Sequence, residues 1–257
     1  METIVGKGGR GVIIINEENP NFVTKFAFNV ASCNNLDDEF NAQLTAYNGW
    51  NSFEWPSKYG INAKILKPTN FKSFNGDQCS IMMSRIFPPD SSGLLWQLYL
   101  GGDRDLNMNV SDVNFIRGSY KGQNTLGKEL NIGNKELTFM AYLSGLLIGT
   151  VQYTSRLTGL DTELVLGKEN RETEILTMYL IDYDQSWSWS SGIHPITQIP
   201  LTERVIIKNL EWALSAEEYY PAPEDPLYSY FKVGYLEAAV MANLEDLANK
   251  VLERYEA

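Results

Sequence analysis

Short apolar runs divided by polar turns predict β-strands over the first third of the chain. Residues 2–31 contain three such runs, rich in Val, Ile and Phe. Residues 36–48 differ, because their apolar side chains recur every three or four residues and so share one face of a helix. Further strands are predicted around residues 63–66 and 80–84, after which two consecutive prolines end the pattern.

The rest of the chain is predicted to be mainly helical. Residues 135–157 are apolar nearly all round, which marks a helix at the centre of a sizeable core. Two short strands, at residues 164–166 and 179–181, flank a polar turn. The other predicted helices are residues 94–100, 201–214 and 234–255. This order predicts an α+β fold of two lobes, with a small antiparallel β lobe over residues 1–85 and a larger helical lobe over residues 86–257.

The charge balance excludes one large class of partners. Lys and Arg number 21 against 32 Asp and Glu, so the formal net charge is −11. An acidic surface of this size repels phosphate backbones, and we therefore expect no bulk nucleic-acid binding. It does not exclude a small, locally basic pocket for one nucleotide.

The cysteine and histidine content limits metal sites. Two Cys and one His are too few for a structural zinc site, which takes about four such ligands. Cys33 and Cys79 could form a disulfide, but no sequence feature indicates an oxidising compartment. The N-terminal residues lack a basic signal region, and the longest apolar run, of about 13 residues, is too short to span a bilayer. We expect no membrane association and an intracellular location, cytoplasmic or nuclear.

A glycine-rich segment is the first candidate for chemistry. Gly6, Gly8 and Gly11 fit the pattern G-x-G-x-x-G, in which backbone N–H groups can approach phosphates closely. The alternative is a plain hairpin turn, since the motif alone is weak. A dinucleotide fold needs a helix directly after the glycines, whereas residues 12–15 indicate a strand. Strand, glycine loop and strand is the arrangement that covers ATP in protein kinases.

That arrangement requires a lysine on a following strand and an acid on the first helix. Lys25 follows Gly11 by fourteen residues, and Glu39 follows Lys25 by fourteen. Opposite charges at these positions would hold the lysine toward the α- and β-phosphates of ATP or GTP. The alternative is a surface lysine and a solvated helix acid.

A metal-binding acid is predicted at the end of the second short strand. Asp182 follows three apolar residues, as when a buried strand delivers a carboxylate to Mg²⁺. Asp184 is a candidate second ligand. The alternative is that both acids cap a strand end.

The catalytic loop departs from the kinase pattern. Kinases place an aspartate base five residues before a metal-binding asparagine, but residues 152–167 contain no His-Arg-Asp run. If Asp161 replaces the asparagine as a metal ligand, Leu157 lies near the base position. If Asp161 is itself the catalytic base, the second metal ligand is missing.

Several segments, in the same order along the chain, resemble an uncharacterised, mainly fungal family of kinase-like proteins, often called zinc finger proteins. The segments are residues 83–89 (M-E-R-I-P-P in the family), 98–101 (Y-L-G), 156–167 (A-R-x-D-A-x-D-V-E-F-V-L-G), 180–185 (L-L-D-F-D-Q) and 218–223 (D-P-Y-Y-P-R-P). A more remote resemblance extends to protein kinases and aminoglycoside phosphotransferases. The resemblance implies a two-lobed protein-kinase-like fold.

The chain departs from the family at three positions. Gln152 replaces a His, Thr158 replaces the first Asp and Ser186 replaces a Cys. The loss of an acid at position 158 weakens the case for catalysis.

Two functions are therefore predicted. The first is a divergent pseudokinase that acts as a protein-interaction module, with or without a bound nucleotide. The alternative is an active Mg-dependent phosphotransferase that uses ATP or GTP on an unknown acceptor. Trp187 and Trp189 follow Asp182, and exposed tryptophans on a loop often anchor a protein partner. The opposing interpretation is that both tryptophans belong to the core.

Overall fold

The structure is a computed structural model of the 257-residue chain. It describes residues 2–7, 11–74, 78–90, 95–101, 116–119, 132–216 and 219–257. Within these residues, no helix is both long and apolar enough to cross a membrane.

The first part of the chain forms a five-stranded antiparallel sheet. Its strands are β1 (Glu2–Lys7), β2 (Gly11–Asn16), β3 (Phe22–Ala27), β5 (Pro68–Phe74) and β6 (Gln78–Ser84). They lie in the order β1-β2-β3-β6-β5. Alternate side chains of a strand point to opposite faces, and on β3 this places Val23, Lys25 and Ala27 on the buried face.

One long helix, α1 (Val30–Trp50), packs against this sheet. It begins at Asn29, whose side chain accepts a hydrogen bond from the backbone N–H of Ser32. Leu36 packs with Ile81 of β6 in a small apolar cluster. In the same cluster, Cys33 of α1 and Cys79 of β6 form a disulfide, with a Cα–Cα distance of 5.4 Å. The disulfide joins the first turn of the helix to the sheet.

A second five-stranded sheet contacts both α1 and the helix that spans Asn134–Gly149. Its strands are β4 (Ile61–Ile65), β10 (Leu176–Ile181), β9 (Glu163–Gly167), β7 (Leu95–Gln97) and β8 (Ile116–Ser119), in that order. β9 and β10 pair as an antiparallel hairpin, as predicted. β4 lies early in the chain but pairs in parallel with β10. The lobe boundary between residues 85 and 86 stays a prediction.

The helical part surrounds a buried central helix. Its helices are α2 (Asn134–Gly149), α3 (Glu203–Ser215), α4 (Tyr228–Met241) and α5 (Glu245–Tyr255). α2 runs directly into one turn of π-helix, Thr150–Thr154. Two glycines allow α2 and α4 to cross closely, because a Cβ at Gly145 would collide with the carbonyl oxygen of Phe231 and one at Gly234 with that of Tyr142.

The predicted fold class is confirmed, whereas two predicted elements were wrong. The apolar run at 94–100 contains the strand β7 rather than a helix, because Trp96 and Gln97 pair with β9 in the interior. The single helix predicted over 234–255 is two helices, divided at residues 242–244.

Candidate functional site

Lys25 and Glu39 form the predicted ion pair. The Nζ atom of Lys25 donates to Oε1 and Oε2 of Glu39 at 2.7 and 2.8 Å. Lys25 reaches this position because β3 turns it to the buried face, while α1 presents Glu39 toward the sheet. Only 3% of the Glu39 residue is exposed, so the pair is shielded from water.

Asp182 contacts the same lysine from the other side. Its Oδ1 atom lies 3.3 Å from Lys25 Nζ, and 36% of its side chain is exposed. Asp182 directly follows β10 and has a φ of 57°, in the left-handed region that side chains other than glycine seldom adopt. Such strain is typical of functional sites. Lys25 therefore bridges a buried carboxylate on α1 and a half-exposed carboxylate at the end of β10.

The charges around Lys25 shift the pKa values of both partners. Burial lowers the pKa of Lys25, but the carboxylates of Asp182, Glu39 and Asp184 outweigh it and raise that pKa above its ordinary value. Burial raises the pKa of Glu39 from 4.5 to about 7, and the charges of Asp182 and Asp184 add to this, whereas Lys25 opposes it. Lys25 thus contacts two carboxylates, those of Glu39 and Asp182, and the charge of Asp184 adds to theirs.

A small apolar cavity of 90 Å³ adjoins the charged group. Its apolar walls come from both sheets and the segments between them, and its polar end is formed by Lys25, Glu39 and Asp182. The apolar residues that line it are Ile13, Val23, Leu66, Met83, Ile86, Leu95 and Ile181. Ligand pockets are commonly about 300–1,000 Å³, so this cavity matches one flat ring of a larger ligand rather than the whole.

The predicted glycine loop is described at its two ends. Gly6 lies in β1 opposite Ile13 of β2, and Gly8 lies outside the described residues. Gly11 begins β2, and a Cβ at this position would collide with the carbonyl oxygen of Phe26. Close packing of β2 against β3 is therefore a sufficient reason for glycine at position 11. Phosphate contacts by these glycines stay a prediction.

Asp161 is engaged by a neighbour that sequence reasoning missed. Gln185 Nε2 donates to Asp161 Oδ2 at 2.5 Å. The hairpin register places Glu163, not Asp161, opposite Ile181, the residue before Asp182. Extending the predicted strand at residues 164–166 by one residue toward the N-terminus would have identified Glu163 as the acid at the start of β9.

No group of three or more Asp, Glu, His or Cys side chains in the described parts of the chain could hold a metal ion alone. Mg²⁺ in nucleotide sites commonly takes only one or two carboxylates, together with phosphate oxygens and water. Asp182 contacts Lys25, whereas Asp184 lines a separate cavity, and metal binding by either carboxylate stays a prediction.

Leu157, near one predicted base position, and Thr158, where the resembled family has an Asp, are both buried. Leu157 is 4% exposed and Thr158 is not exposed at all. The N–H of Thr158 donates to the carbonyl oxygen of Trp187 at 2.9 Å, and its Oγ1 accepts from the Trp187 N–H at 3.3 Å. Neither side chain can take a proton from an acceptor substrate.

Gln152 holds this loop in place. Its Nε2 atom donates to the carbonyl oxygens of Thr158 and Leu210, both at 3.0 Å, and its Oε1 atom accepts from the hydroxyl of Tyr235. The side chain is fully buried. The residue that replaces the His of the resembled family is thus part of the packing beneath the loop.

Neither Trp187 nor Trp189 is fully exposed. Trp189 is buried, and its Nε1 atom donates to the carbonyl oxygen of Gln152 at 2.9 Å. Trp187 is half-buried and its ring contacts that of His194, with 4.8 Å between centroids. Of the two interpretations, Trp189 fits the core, whereas partner binding by the half-buried Trp187 stays a prediction.

Comparison with known proteins gave structural matches alone. The sequence matches no protein-family profile and no curated protein. Among solved structures, a GDP complex of a mutant aminoglycoside 2'-phosphotransferase-IIIa matches with 12% identity and a TM-score of 0.30, over 100% of this chain and 90% of that chain. The GDP and kanamycin complex of APH(2'')-IIIa matches with 12% identity and a TM-score of 0.29, over 100% and 92%.

The assignment of the fold is based on the order of the chain's own strands and helices. A strand hairpin, a buried lysine on the third strand and a helix acid paired with it precede a second hairpin that ends in an aspartate. This order of elements, with these side chains brought together, is the kinase-like fold that was predicted.

Proposed function

We propose that the protein is a pseudokinase that binds ATP or GTP at the Lys25 cleft and acts through binding rather than phosphoryl transfer. One observation carries the proposal. The ion pair of Lys25 and Glu39 is formed, whereas Leu157, near the predicted base position, and Thr158, where the resembled family has an Asp, are both buried.

The first part of the proposal, that the protein binds a nucleotide, is supported by the cleft. An ammonium group held by a helix acid is the device that kinases use to position the α- and β-phosphates. The adjoining apolar cavity offers a place for a flat base, and Asp182 lies where the phosphates would follow. Mg²⁺, when bound with the nucleotide, would neutralise the carboxylates of Asp182 and Asp184.

The second part of the proposal, that the protein does not transfer a phosphoryl group, is supported by the catalytic loop. A base must lie within hydrogen-bond reach of the proton it accepts, which the buried Leu157 and Thr158 cannot do. Asp161 remains, but its carboxylate accepts a hydrogen bond from Gln185. A nucleotide that is bound and not consumed would act by stabilising one arrangement of the lobes, which a protein partner would recognise.

An active Mg-dependent phosphotransferase is the second candidate. The observation that favours it is that Asp182, a candidate Mg²⁺ ligand, contacts Lys25, with the candidate second ligand Asp184 two residues further along the chain. Phosphoryl transfer depends mainly on positioning and charge neutralisation, so slow turnover does not require a strong base.

A thermal-shift titration with ATP and GTP, with and without Mg²⁺, tests the binding half. We expect a Mg-dependent rise in melting temperature that is lost in Lys25→Met and strongly reduced in Asp182→Asn. Lys72→Met is the matched control, since Lys72 is an exposed lysine on β5 of the same sheet. The absence of any shift for the wild type, or an unchanged shift in Lys25→Met, would contradict nucleotide binding at this cleft.

A further inference from the structure

The segment that links the two sheets presents alternate side chains to two different cavities. Ser84 and Ile86 line the apolar cavity beside Lys25. Arg85 and Phe87 line a second cavity of 540 Å³, which the connection between β9 and β10 closes with Lys168 and Arg171. This alternation is expected of extended backbone. A ligand in the second cavity would therefore lie directly behind the wall of the first.

Three cations converge on the second cavity. The guanidinium of Arg85 lies 4.9 Å from the ring centroid of Phe87, and that of Arg171 lies 5.9 Å from the same centroid. Lys168 is fixed beside them, because its backbone exchanges two hydrogen bonds with Phe87, at 2.8 and 2.9 Å. Two arginines at one ring repel each other unless an anion lies between them.

Few carboxylates of the described residues compensate these cations. Lys168 has an ion pair with Glu174 at 3.9 Å, but the Glu174 side chain is 97% exposed. Asp90, the acid that lines the cavity, accepts a hydrogen bond from Trp96 Nε1 at 3.3 Å. Within the described parts of the chain, Arg171 forms no ion pair.

Arg85 provides the most direct sign of an unused donor. Its Nη1 atom donates to the carbonyl oxygen of Pro20 at 3.3 Å, whereas its Nε atom is buried with no hydrogen-bond partner. Burial of a donor without a partner is costly, and an anion bound in the cavity would relieve this cost. Burial and the neighbouring Arg171 both lower the pKa of Arg85, as expected for a cation that lacks a counter-charge.

We propose that Arg85, Lys168 and Arg171 form a binding site for a phosphate monoester, and we call it the hinge anion site. Two guanidinium forks and an ammonium group offer more donors than one carboxylate can accept, whereas a phosphate dianion presents three oxygens. The positive site contrasts with the protein's net charge of −11, so it selects a compact anion rather than a long polyanion. The hinge anion site does not depend on nucleotide binding at Lys25.

Isothermal titration of the full chain with inorganic phosphate, phosphoserine and acetate at equal ionic strength tests the proposal. We expect the two phosphates to bind and acetate to bind at least tenfold more weakly. Arg171→Gln should weaken phosphate binding at least tenfold. Arg171→Lys keeps the charge but loses the paired N–H donors of the guanidinium, so its affinity for phosphate should lie between those of the wild type and Arg171→Gln. Equal binding of acetate, or unchanged binding in Arg171→Gln, would overturn the site.

Two further variants locate the effect and one further ligand identifies the source of the phosphate. Lys208→Gln removes an exposed lysine of α3 and should leave phosphate binding unchanged. Lys25→Met combined with Glu39→Leu, which removes the ion pair of the cleft without leaving a buried charge, should also leave phosphate binding unchanged, so that loss of nucleotide binding and loss of the hinge anion site are distinguished. A phosphoserine peptide that binds more tightly than inorganic phosphate indicates a phosphorylated partner, and equal affinity indicates a free phosphate ester. Loss of phosphate binding in the variant that combines Lys25→Met with Glu39→Leu, while Arg171→Gln still binds phosphate, would assign the anion to the cleft and refute the site.

Discussion

Asp182 Oδ1 lies 3.3 Å from Lys25 Nζ, although the two residues are 157 positions apart in the chain. The contact joins the end of β10 to the middle of β3, and so connects the two sheets across the cleft. Lys25 also holds Glu39 of α1. One ammonium group thereby fixes the relative positions of a strand, a helix and the turn that follows the second hairpin.

Loss of that ammonium group should destabilise the fold. Lys25→Met leaves the Glu39 carboxylate buried without its cation, and breaking a buried pair typically costs about 3–5 kcal/mol. Lys25→Met combined with Glu39→Leu should recover most of the loss, because an apolar pair carries no desolvation penalty. Urea unfolding of the four members of the double-mutant cycle measures this. Additive losses in the double variant would show that the two side chains do not act as a pair.

The pH dependence of the free energy of unfolding should reveal the protonation of Glu39. Its pKa is raised from 4.5 to about 7, so the folded state keeps a proton that the unfolded state has released. The resulting stabilisation is complete below pH 4.5 and is lost as the pH rises to about 7, by about 3 kcal/mol at most. Relative to Glu39→Gln, the wild type should lose stability across this window and change little above it. A wild type that instead gains stability relative to Glu39→Gln would show that Lys25 lowers the pKa of Glu39.

Reduction of the Cys33–Cys79 disulfide should loosen α1 from the sheet. The bond spans 46 residues, and loop-closure entropy for such a loop corresponds to about 4 kcal/mol. We expect a lower melting temperature under reducing conditions for the wild type. The variant with Cys33→Ala and Cys79→Ala should melt near the reduced wild type and should not respond to reductant. Equal melting of reduced and oxidised wild type would exclude a stabilising role.

Thr158→Asp should not create an active kinase. The side chain is fully buried and its Oγ1 accepts a hydrogen bond from the Trp187 N–H, so a carboxylate there would be buried at a cost of about 2 kcal/mol. Thr158→Ser, which keeps the acceptor, is the matched control and should be close to the wild type. Unfolding curves and an assay for release of the γ-phosphate of ATP or GTP measure both effects. A folded Thr158→Asp variant with new phosphotransferase activity would contradict the description of position 158 as buried packing that cannot supply a base.

The parts of the site that could be predicted from sequence depend on local periodicity and ordered spacing. Strand alternation places Lys25 on the same face as Val23, and helical spacing places Glu39 in line with Leu36. Asp182 could be predicted because three apolar residues precede it.

The other features arise from contacts between distant segments. The parallel pairing of β4 with β10 joins residues more than a hundred positions apart and leaves no local pattern. The apolar residues of β7 fit a buried helix as well as a buried strand. Arg171 lies in a polar turn, and only the bridge between Phe87 and Lys168 brings it to Arg85.

The Lys25 cleft is proposed to bind a nucleotide without hydrolysing or transferring its γ-phosphate. The most direct test is equilibrium binding of nucleotide labelled at the γ-phosphate, ATP and GTP in turn, with Mg²⁺, followed by chromatography of the nucleotide recovered from the protein. We predict saturable binding to the wild type, none to Lys25→Met, and recovery of the bound nucleotide as intact triphosphate. A wild type that binds neither nucleotide, or that returns diphosphate at a rate dependent on Asp182, would contradict the account.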